Sequence, residues 1–385
     1  MSGWQSREEI LEALGIKPQT LYAYVSRGVI AARPDPSDPR RSLYSLDDAQ
    51  ALAERRSRGR RARDIAQGAI SWGEAILPTA ISTIAHGRLF YRQRDAVRFA
   101  KEGGTLEGAA ALLWSAPADV LHAAQPADGA DAGSGDPVAS ALAMLARRAA
   151  TDMPTSGRAA SALAVESAAL LKSVALALGA GEGDGIAAGF TRAWRRGGEA
   201  GDLLRVALVL LADHELNAST FAARVAASTG APLSAALLAG FATLTGPAHG
   251  GAYSRVVQLH RNAQGTNAAD AVREWIARGE PLPGFGHPLY PDGDPRADAL
   301  LSRLEAPAGL AALADEVARV AGLKPNIDFA LVALTETFGL PGDAPFRLFA
   351  AGRTCGWLAH AMEQAATGTL IRPRAYYAGP ALEAG

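Results

Sequence analysis

Apolar residues recur along most of this chain at intervals of three and four positions, the spacing that gathers them on one face of an α-helix. The pattern is clearest in TLEGAAALLWS, VASALAMLARRAATD, GDLLRVALVLLADHE and GLAALADEVARVAG. Alanine and leucine dominate these segments and runs of β-branched residues are scarce, which also favours helix. We therefore predict an all-α body beyond about residue 70. The segment QPADGADAGSGDP, residues 125–137, is interpreted as an exposed flexible loop.

The N-terminal part follows a different pattern, with shorter segments and clear helix-boundary signals. Ser6 and Glu9 form a capping box, and Gly15 stands where a helix-terminating glycine is preferred. Pro18 suits the first turn of a second helix. The stretch VIAARPDPSDPRRSLYS can form a small two-stranded wing, after which Ser45 can cap a third helix.

Two short helices joined by a tight turn and followed by a wing resemble the MerR-type winged helix-turn-helix DNA-binding domain, here over residues 1–66. The resemblance implies one set of residues in the major groove and a second set on phosphates. These sets are Lys17, Gln19, Thr20 and Tyr22 for the groove, and Arg33, Arg40 and Arg41 for the phosphates. The alternative is that this domain docks on a protein surface and that its arginine run is a solvated helix end.

Composition and charge narrow the class of protein. The 385 residues are enough for two or three domains, and 49% hydrophobic with 20% charged residues is typical of globular proteins. The net charge of −1 gives no overall attraction to nucleic acid, although residues 1–68 hold 12 Lys or Arg and 9 Asp or Glu, a net of +3. The single cysteine, Cys355, excludes an intramolecular disulfide and a multi-cysteine metal site. Without a signal-peptide pattern or a long uncharged apolar run, we expect a soluble cytoplasmic protein with no membrane contact.

Five segments interrupt the helical pattern, each with polar residues at a helix boundary or beside glycine and proline. A titratable side chain in a rigid, irregular loop is often there for chemistry, and His287 is such a residue. The segments are LADHELNAST with His214, TGPAHGGAYS with His249, GFGHPLYPDGDPR with His287 and Arg296, PNIDFALVALTETFGLPGDAPFRLFAAGRTCGWLAH with Asp328 and Arg353, and LIRPRAYYAG with Arg372 and Arg374.

In this order these motifs resemble the citrate synthase family, over roughly residues 75–380. The resemblance implies a two-lobed helical fold, with a large lobe formed by residues 70–245 and 346–385 and a small lobe formed by residues 246–345. It also implies condensation of acetyl-CoA with oxaloacetate, followed by hydrolysis of the citryl thioester to citrate and CoA. No metal or prosthetic cofactor is implied, since acetyl-CoA is a substrate.

The same resemblance gives roles to individual residues. Asp328 would be the base that removes the α-proton of the thioester, and His249 would hydrogen-bond the thioester oxygen as the enol forms. His287 would donate to the oxaloacetate carbonyl. A dianionic substrate needs fixed cations with paired donors, which arginine supplies better than lysine. The oxaloacetate-binding residues would be His214, Arg296, Arg353 and Arg372, with Arg372 reaching the site of the partner subunit in a homodimer.

Two features depart from the family pattern. Pro291 stands where the family often has a lysine or arginine that meets the CoA phosphates, so another cation, Arg255, Arg261 or Lys324, would have to hold them. The N-terminal DNA-binding domain lies outside the ordinary pattern altogether. Two other functions therefore stay open beside citrate synthase. One is 2-methylcitrate synthase, which uses propionyl-CoA, and the other is a DNA-binding regulator whose body senses CoA esters or dicarboxylates.

The other polar candidates have structural interpretations. Asp328 taken alone could be a helix N-cap after Asn326. Capping, packing or simple burial would account for the rest, which are His86, His122, His260, Cys355, Trp357 and His360.

Overall fold

The computed structural model describes residues 3–14, 30–35, 41–49, 77–126 and 135–373, together with positions 21, 25, 38 and 379. These residues fall into two compact units, one within Met1–Leu77 and Pro373–Gly385 and the other within Pro78–Arg372. The predicted boundary between the two domains, at residues 66–70, lies outside the described residues.

The N-terminal unit contains a three-stranded antiparallel sheet. Strands β1 (Trp4–Gln5) and β2 (Ala32–Pro34) both pair with β3 (Ser42–Ser45), which gives the order β1-β3-β2. The pairing of β2 with β3 confirms the two predicted strands, while their role as the wing of a helix-turn-helix domain stays a prediction. Ser45 Oγ accepts a hydrogen bond of 3.2 Å from the backbone N–H of Asp48, which confirms Ser45 as the cap of the helical turn that follows.

Helix α1 (Arg7–Leu14) begins at the predicted capping box. The backbone N–H and the hydroxyl of Ser6 each donate to Glu9 Oε2 at 2.8 Å, so the prediction for this helix start is confirmed. A small hydrophobic core holds the helix against the sheet, and its described residues are Ile10, Leu21, Ile30, Tyr44 and Ala49. The second predicted helix lies mostly outside the described residues.

The larger unit begins with a second antiparallel sheet, which we did not predict. Strand β4 (Ser82–Ala85) pairs with β5 (Arg88–Tyr91), and β5 pairs with β6 (Arg94–Asp95). Ser82 lies directly opposite Tyr91, and both side chains are buried. The prediction of an all-α body is therefore wrong for this segment, where cross-strand packing overrides the helical pattern of the rest.

Helices form most of the remaining described part of this unit, which confirms the predicted mostly helical body. Their bounds are α2 (Ala96–Lys101), α3 (Leu106–Trp114), α4 (Ala118–Ala123), α5 (Pro137–Thr151), α6 (Ala160–Ala177), α7 (Ile186–Ala193), α8 (Glu199–Leu211), α9 (Ala218–Ser228), α10 (Leu233–Leu244), α11 (Ala252–Gly265), α12 (Ala268–Ala277), α13 (Pro295–Leu301), α14 (Ala308–Ala321), α15 (Ile327–Phe338) and α16 (Ala344–Thr367).

Two hydrophobic clusters organise these helices. The larger cluster includes buried faces of α3, α6, α8, α10 and α16. The smaller cluster joins α11, α12, α14 and α15 through residues such as Val256, Trp275, Leu313 and Phe329. The smaller cluster lies within the predicted small lobe, whose boundaries stay a prediction.

Helix α16 is buried along most of its length and passes close to the turn after α8. Gly356 makes this approach possible, because a Cβ there would collide with the carboxylate of Asp213 and the carbonyl of Ala212. The backbone N–H of Gly356 donates to the Ala212 carbonyl at 2.9 Å. The contact brings Arg353, one turn earlier on α16, towards His214.

Within the described residues, α6 is the one helix long and apolar enough to cross a membrane, with a mean hydropathy of 1.5. The unit buries 56% of that helix, which is typical of a core helix.

Candidate active site

Two loops that carry candidate catalytic residues are tied together by hydrogen bonds. The backbone N–H of Asn326 donates to the Gly284 carbonyl at 2.8 Å, and its side-chain amide donates to the Gly286 carbonyl at 3.0 Å. Both glycines have positive φ angles, of 81° and 69°, which few other residues tolerate. The loop before His287 and the start of the helix carrying Asp328 therefore share one rigid frame.

Asp328 lies in the first turn of α15, and Asn326 caps that helix. Asn326 Oδ1 accepts from the backbone N–H of Asp328 at 3.0 Å and of Phe329 at 3.5 Å, so the alternative that Asp328 is itself the N-cap is wrong. Burial among protein atoms raises the pKa of Asp328 to about 6, although nearby Arg296 opposes the rise. A carboxyl that titrates near neutrality suits a general base.

Arg296 is held by a carboxylate from its own loop. Asp294 accepts from the Nε and Nη2 of Arg296 at 2.9 and 2.8 Å, and both side chains are almost fully buried. Burial disfavours the charged guanidinium, but Asp294 more than compensates and raises the pKa of Arg296. Arg296 is thus a permanent cation in the site.

His287 is poised as a neutral donor. The backbone N–H of Leu289 donates to His287 Nδ1 at 3.1 Å, which leaves the proton of the neutral ring on Nε2. Burial, followed by the positive charge of Arg296, lowers the pKa of His287 to about 4. At neutral pH the ring therefore offers an N–H without carrying charge.

His214 packs edge-on against His287, with ring centroids 5.1 Å apart. Its Nε2 lies 3.0 Å from the hydroxyl of Tyr290, a residue between His287 and Arg296 in the chain. Burial, followed by the charge of Arg296, lowers the pKa of His214 well below its usual value. The structure thus brings His214 together with the loop of His287.

Arg353 is a buried guanidinium, 1% exposed, and it forms no ion pair with a carboxylate of the described residues. Its Nε donates to the Leu211 carbonyl at 3.0 Å, and its Nη2 has no hydrogen-bond partner among the described residues. Burial lowers the pKa of Arg353 to about 10, partly offset by Asp213, so the group is still charged at neutral pH. A buried cation with a free donor is the kind of group that an anionic ligand would satisfy.

His249 joins this cluster through aromatic and hydrogen-bond contacts. Its ring lies 6.0 Å from that of Phe349, whose other neighbour is the Arg353 guanidinium, 4.8 Å from the ring centre. His249 Nε2 is 2.8 Å from Ser219 Oγ, which also accepts from Trp357 Nε1 at 3.1 Å. Burial, then the charge of Arg353, lowers the pKa of His249 to about 4.

Several residues of this site escaped the sequence analysis. Trp357 and His360 were interpreted as packing, but Trp357 holds Ser219, and His360 Nε2 lies 3.3 Å from the Asp213 carboxylate. Asp294 and Tyr290 lie inside a motif that we had already singled out, and their polar side chains beside His287 were the available signal.

Other predicted site residues lie apart from this cluster. Arg372 is exposed, and none of the hydrogen bonds or ion pairs of the described residues joins it to the cluster. In the N-terminal unit, Arg33 lies 4.2 Å from the ring of Trp4, and Arg41 is 3.5 Å from the carboxylate of Asp38. The remaining predicted DNA contacts lie outside the described residues, and these are Lys17, Gln19, Thr20, Tyr22 and Arg40.

Metal ligands are not clustered in the part of the chain that the structure describes. Within it, no group of three or more His, Cys, Asp or Glu side chains is arranged to hold a metal ion.

Three neutral imidazoles, a carboxyl that titrates near neutrality and two buried guanidiniums define a site for acid–base chemistry on an anionic substrate, carried on a helical fold. Residues 118–374, more than half of the chain, match the family model described as "Citrate synthase, C-terminal domain", and the chain belongs to the citrate synthase family. The resemblance to the citrate synthase family is thereby confirmed.

Named relatives fit this family. The chain is 40% identical to "Putative citrate synthase 2" of Mycobacterium tuberculosis over 185 residues, which are 45% of this chain and 50% of the relative. It is 35% identical to "2-methylcitrate synthase" of the same species over 183 residues, 45% of this chain and 47% of the relative. The chain thus spans about half the length of the curated relatives that it matches.

A solved structure matches a larger share of the chain. The citrate synthase of Thermoplasma acidophilum, solved as a ternary complex with carboxymethyl coenzyme A and oxaloacetate, superposes with a TM-score of 0.65. The match has 25% identity and covers 83% of this chain and 98% of that one. The predicted citrate synthase-like fold is confirmed.

Proposed function

We propose that this protein condenses acetyl-CoA with oxaloacetate and then hydrolyses the citryl thioester, giving citrate and CoA. The observation that carries the proposal is the buried, unpartnered Nη2 of Arg353, in a guanidinium that interacts electrostatically with His214, His249 and Arg296. Two cations surrounded by neutral rings suit a small dianion. The T. acidophilum relative, which holds oxaloacetate and a CoA analogue together, supports this substrate pair.

The proposed chemistry uses the three candidate catalytic residues in sequence. Asp328 removes a proton from the methyl carbon of the acetyl group while His249 donates to the thioester oxygen. The resulting carbon nucleophile forms a bond to the keto carbon of oxaloacetate, and His287 donates its Nε2 proton towards the developing alkoxide. Water then attacks the citryl thioester carbonyl and CoA leaves as the thiol. The scheme uses no metal or prosthetic group.

The assay that tests this function measures free thiol. Purified protein mixed with oxaloacetate and acetyl-CoA is expected to release CoA, and the variant Asp328→Ala is expected to release none above background. The control is acetyl-CoA alone, which separates condensation from simple thioesterase activity. Wild-type protein that releases no thiol at high concentration would contradict the proposal.

A second candidate uses propionyl-CoA and makes 2-methylcitrate. The 35% identity to a 2-methylcitrate synthase keeps this alternative open. One added methylene in the acyl group changes the ratio of kcat/KM values by only about 10–200-fold, so the residues of the acyl pocket decide between acetyl-CoA and propionyl-CoA. Comparing kcat/KM for acetyl-, propionyl- and butyryl-CoA distinguishes them, and a higher value for propionyl-CoA would replace the leading assignment.

For the phosphates of CoA we propose Lys324. Its Nζ donates to the Asp292 carbonyl at 2.9 Å, so the ammonium lies over the turn beside Pro291, the position without a cation. Among the alternatives, Arg255 already pairs with Glu280. Arg261 lies six residues further along α11, and it stays the second choice.

We also propose a homodimer in which Arg372 serves the partner's site, since Arg372 is exposed and separate from the cluster of its own chain. Mixing Asp328→Ala chains with Arg372→Ala chains tests this. If Arg372 acts across subunits, each mixed dimer regains one complete site and random mixing restores about a quarter of wild-type activity. If Arg372 acts within its own chain, every site carries a defect and no activity returns.

For the N-terminal unit we propose DNA binding through the wing, in a cytoplasmic protein. The supporting observation is Arg33, which is exposed on β2 and oriented by its contact with Trp4. Gel retardation with the DNA upstream of its own gene, with and without oxaloacetate, tests this role and the regulator alternative together. Retardation that weakens with salt and with Arg33→Ala is expected. Its absence would favour a role in assembly.

A further inference from the structure

The β4–β5 hairpin at the start of the larger unit contacts the turn that carries His214. Ser82 and Tyr91 lie opposite each other on β4 and β5, and both reach the same turn. Tyr91 Oη donates to the Val209 carbonyl at 2.7 Å, at the end of α8, and lies 3.4 Å from the backbone nitrogen of Asp213. This cross-strand pair therefore contacts the two sides of one short segment.

The hydroxyl of Ser82 bridges the two residues that flank His214. It donates to the Asp213 carboxylate and accepts from the backbone N–H of Glu215 at 3.0 Å. Ser82 is 5% exposed and Asp213 is fully buried, so water does not replace these bonds. A hydroxyl has one proton to donate, and here the carboxylate takes it, which fixes the direction of both bonds.

Strand β4 also binds the side chain of Glu215, a residue whose backbone adopts an unfavourable conformation. Its φ angle is +50°, in the left-handed region that non-glycine residues rarely adopt. The Glu215 carboxylate accepts from the backbone N–H of Ile84 at 2.5 Å and from Thr83 Oγ1 at 3.3 Å. Hydrogen bonds thus join the turn to β4 on both sides of His214. They oppose relaxation of the Glu215 backbone to a more favourable conformation.

His214 depends on this turn for its direction. Its side chain is 7% exposed and reaches the Tyr290 hydroxyl and the edge of the His287 ring. Asp213, held by Ser82, is also the carboxylate whose charge acts on Arg353. Loss of the Ser82 hydroxyl would leave a partly buried N–H on Glu215 without this bond and one bond fewer on the buried Asp213, and the turn could then shift.

We propose that Ser82 is a positioning residue that, by bridging Asp213 and Glu215, holds His214 in the orientation that oxaloacetate binding requires. Ser82 does not touch the substrate. This inference rests on the proposed function and adds a determinant of oxaloacetate affinity that lies about 130 residues before His214 in the chain.

The experiment compares three variants of the full-length protein. Ser82→Ala is expected to raise the KM for oxaloacetate by about 10-fold or more, corresponding to the loss of one or two buried hydrogen bonds, with the KM for acetyl-CoA unchanged. Ser82→Thr keeps the hydroxyl and is expected to restore most of the affinity. Ser234→Ala is the matched control, because Ser234 is fully buried in α10 and its hydroxyl has no partner among the described residues.

A spectroscopic measurement separates this inference from the proposed function. Imidazole ¹⁵N spectra report the hydrogen bond of His214 to Tyr290 without any substrate, and calorimetry reports oxaloacetate binding without catalysis. A changed His214 signal and weakened oxaloacetate binding in Ser82→Ala support the inference, even if the wild type releases no thiol. An unchanged His214 signal, or oxaloacetate affinity within twofold of the Ser234→Ala control, would overturn it.

Discussion

Asp294 Oδ2 accepts a hydrogen bond of 3.1 Å from the backbone N–H of Ile327, the residue directly before Asp328. The same carboxylate binds Arg296 through both of its oxygens. One buried side chain thus connects the loop of His287, the cation proposed to bind oxaloacetate and the first turn of the helix that carries the proposed base. The arrangement of the site therefore depends on Asp294 as much as on the residues proposed to contact substrate.

Replacing Asp294 with Asn should destabilise the protein. The change leaves Arg296 as an uncompensated buried cation near Arg353, and breaking such a pair costs about 3–5 kcal/mol. Urea unfolding at pH 7 measures the loss, with Asp292→Asn, an exposed aspartate in the same loop, as the control. Oxaloacetate should raise the Tm of Asp294→Asn more than that of wild type, because the bound dianion would supply negative charge to Arg296 and Arg353 in place of the lost carboxylate. An equal rise in the two proteins would argue against the substrate site proposed here.

The pKa of Asp328 predicts opposite effects of pH on activity and stability. The base acts as the carboxylate, so kcat/KM should fall with unit slope below about pH 6, where Asp328 becomes protonated. His249 and His287, with pKa values of about 4, should add no further change between pH 5 and 8. A pH–rate profile with its acid limb displaced to pH 4 would contradict the assignment of Asp328.

The stability effect follows from the same raised pKa. The folded protein binds the Asp328 proton more tightly than the unfolded chain does. The protonated carboxyl therefore contributes to stability in full below pH 3.8, and this contribution is lost as pH rises through about 6. Asp328→Asn should therefore abolish activity yet raise the free energy of unfolding at pH 8, by about 1–2 kcal/mol because the carboxyl keeps some exposure. The gain should shrink at pH 5. Urea unfolding at the two pH values checks this, and a gain that does not depend on pH would exclude the carboxyl as its cause.

Ser219 should control which ring nitrogen of His249 carries the proton. The Ser219 hydroxyl has two acceptors for its one proton, Asn217 Oδ1 and His249 Nε2, each at 2.8 Å, while Trp357 donates to its oxygen. In the proposed mechanism this proton points at His249 Nε2, which keeps the donor of the neutral ring on Nδ1. We expect Ser219→Ala to lower kcat by about 10–100-fold with little change in the KM for oxaloacetate. Ser228→Ala on the same helix is the control, since that hydroxyl donates only to the Val225 carbonyl. A change confined to KM would mean that Ser219 acts on substrate binding instead.

Lys324→Ala should weaken binding of CoA thioesters through their phosphates alone. We expect the KM for acetyl-CoA to rise about 5–20-fold, which corresponds to one exposed charge-assisted contact. With acetyl-pantetheine, which lacks the phosphate groups of CoA, the two proteins should behave alike. Lys101→Ala, on α2, provides a matched lysine control. An equal loss with both thioesters would show that Lys324 supports the loop of His287 rather than the phosphates.

The local signals in the sequence specified much of this molecule. Helix starts were readable because a cap and the residue it satisfies lie within three or four positions, as with Ser6 and Glu9. The candidate residues His214, His249, His287, Arg296, Asp328 and Arg353 were also readable, because the motifs around them are short and contiguous. The pairing of β4 with β5 was not readable, since these strands are stabilised by burial against the helices rather than by their own pattern.

By itself, the sequence determined the mostly helical body and the family, and it predicted the residues that we propose for the centre of the site. Only the tertiary structure decided how those residues are held: Ser82 meets Asp213 across 131 positions, and Trp357 meets Ser219 across 138. Such contacts have no local pattern, because each pair depends on how separate helices and strands pack. Protonation depends on the tertiary structure in the same way, since burial and neighbouring guanidiniums lower the pKa of His214, His249 and His287.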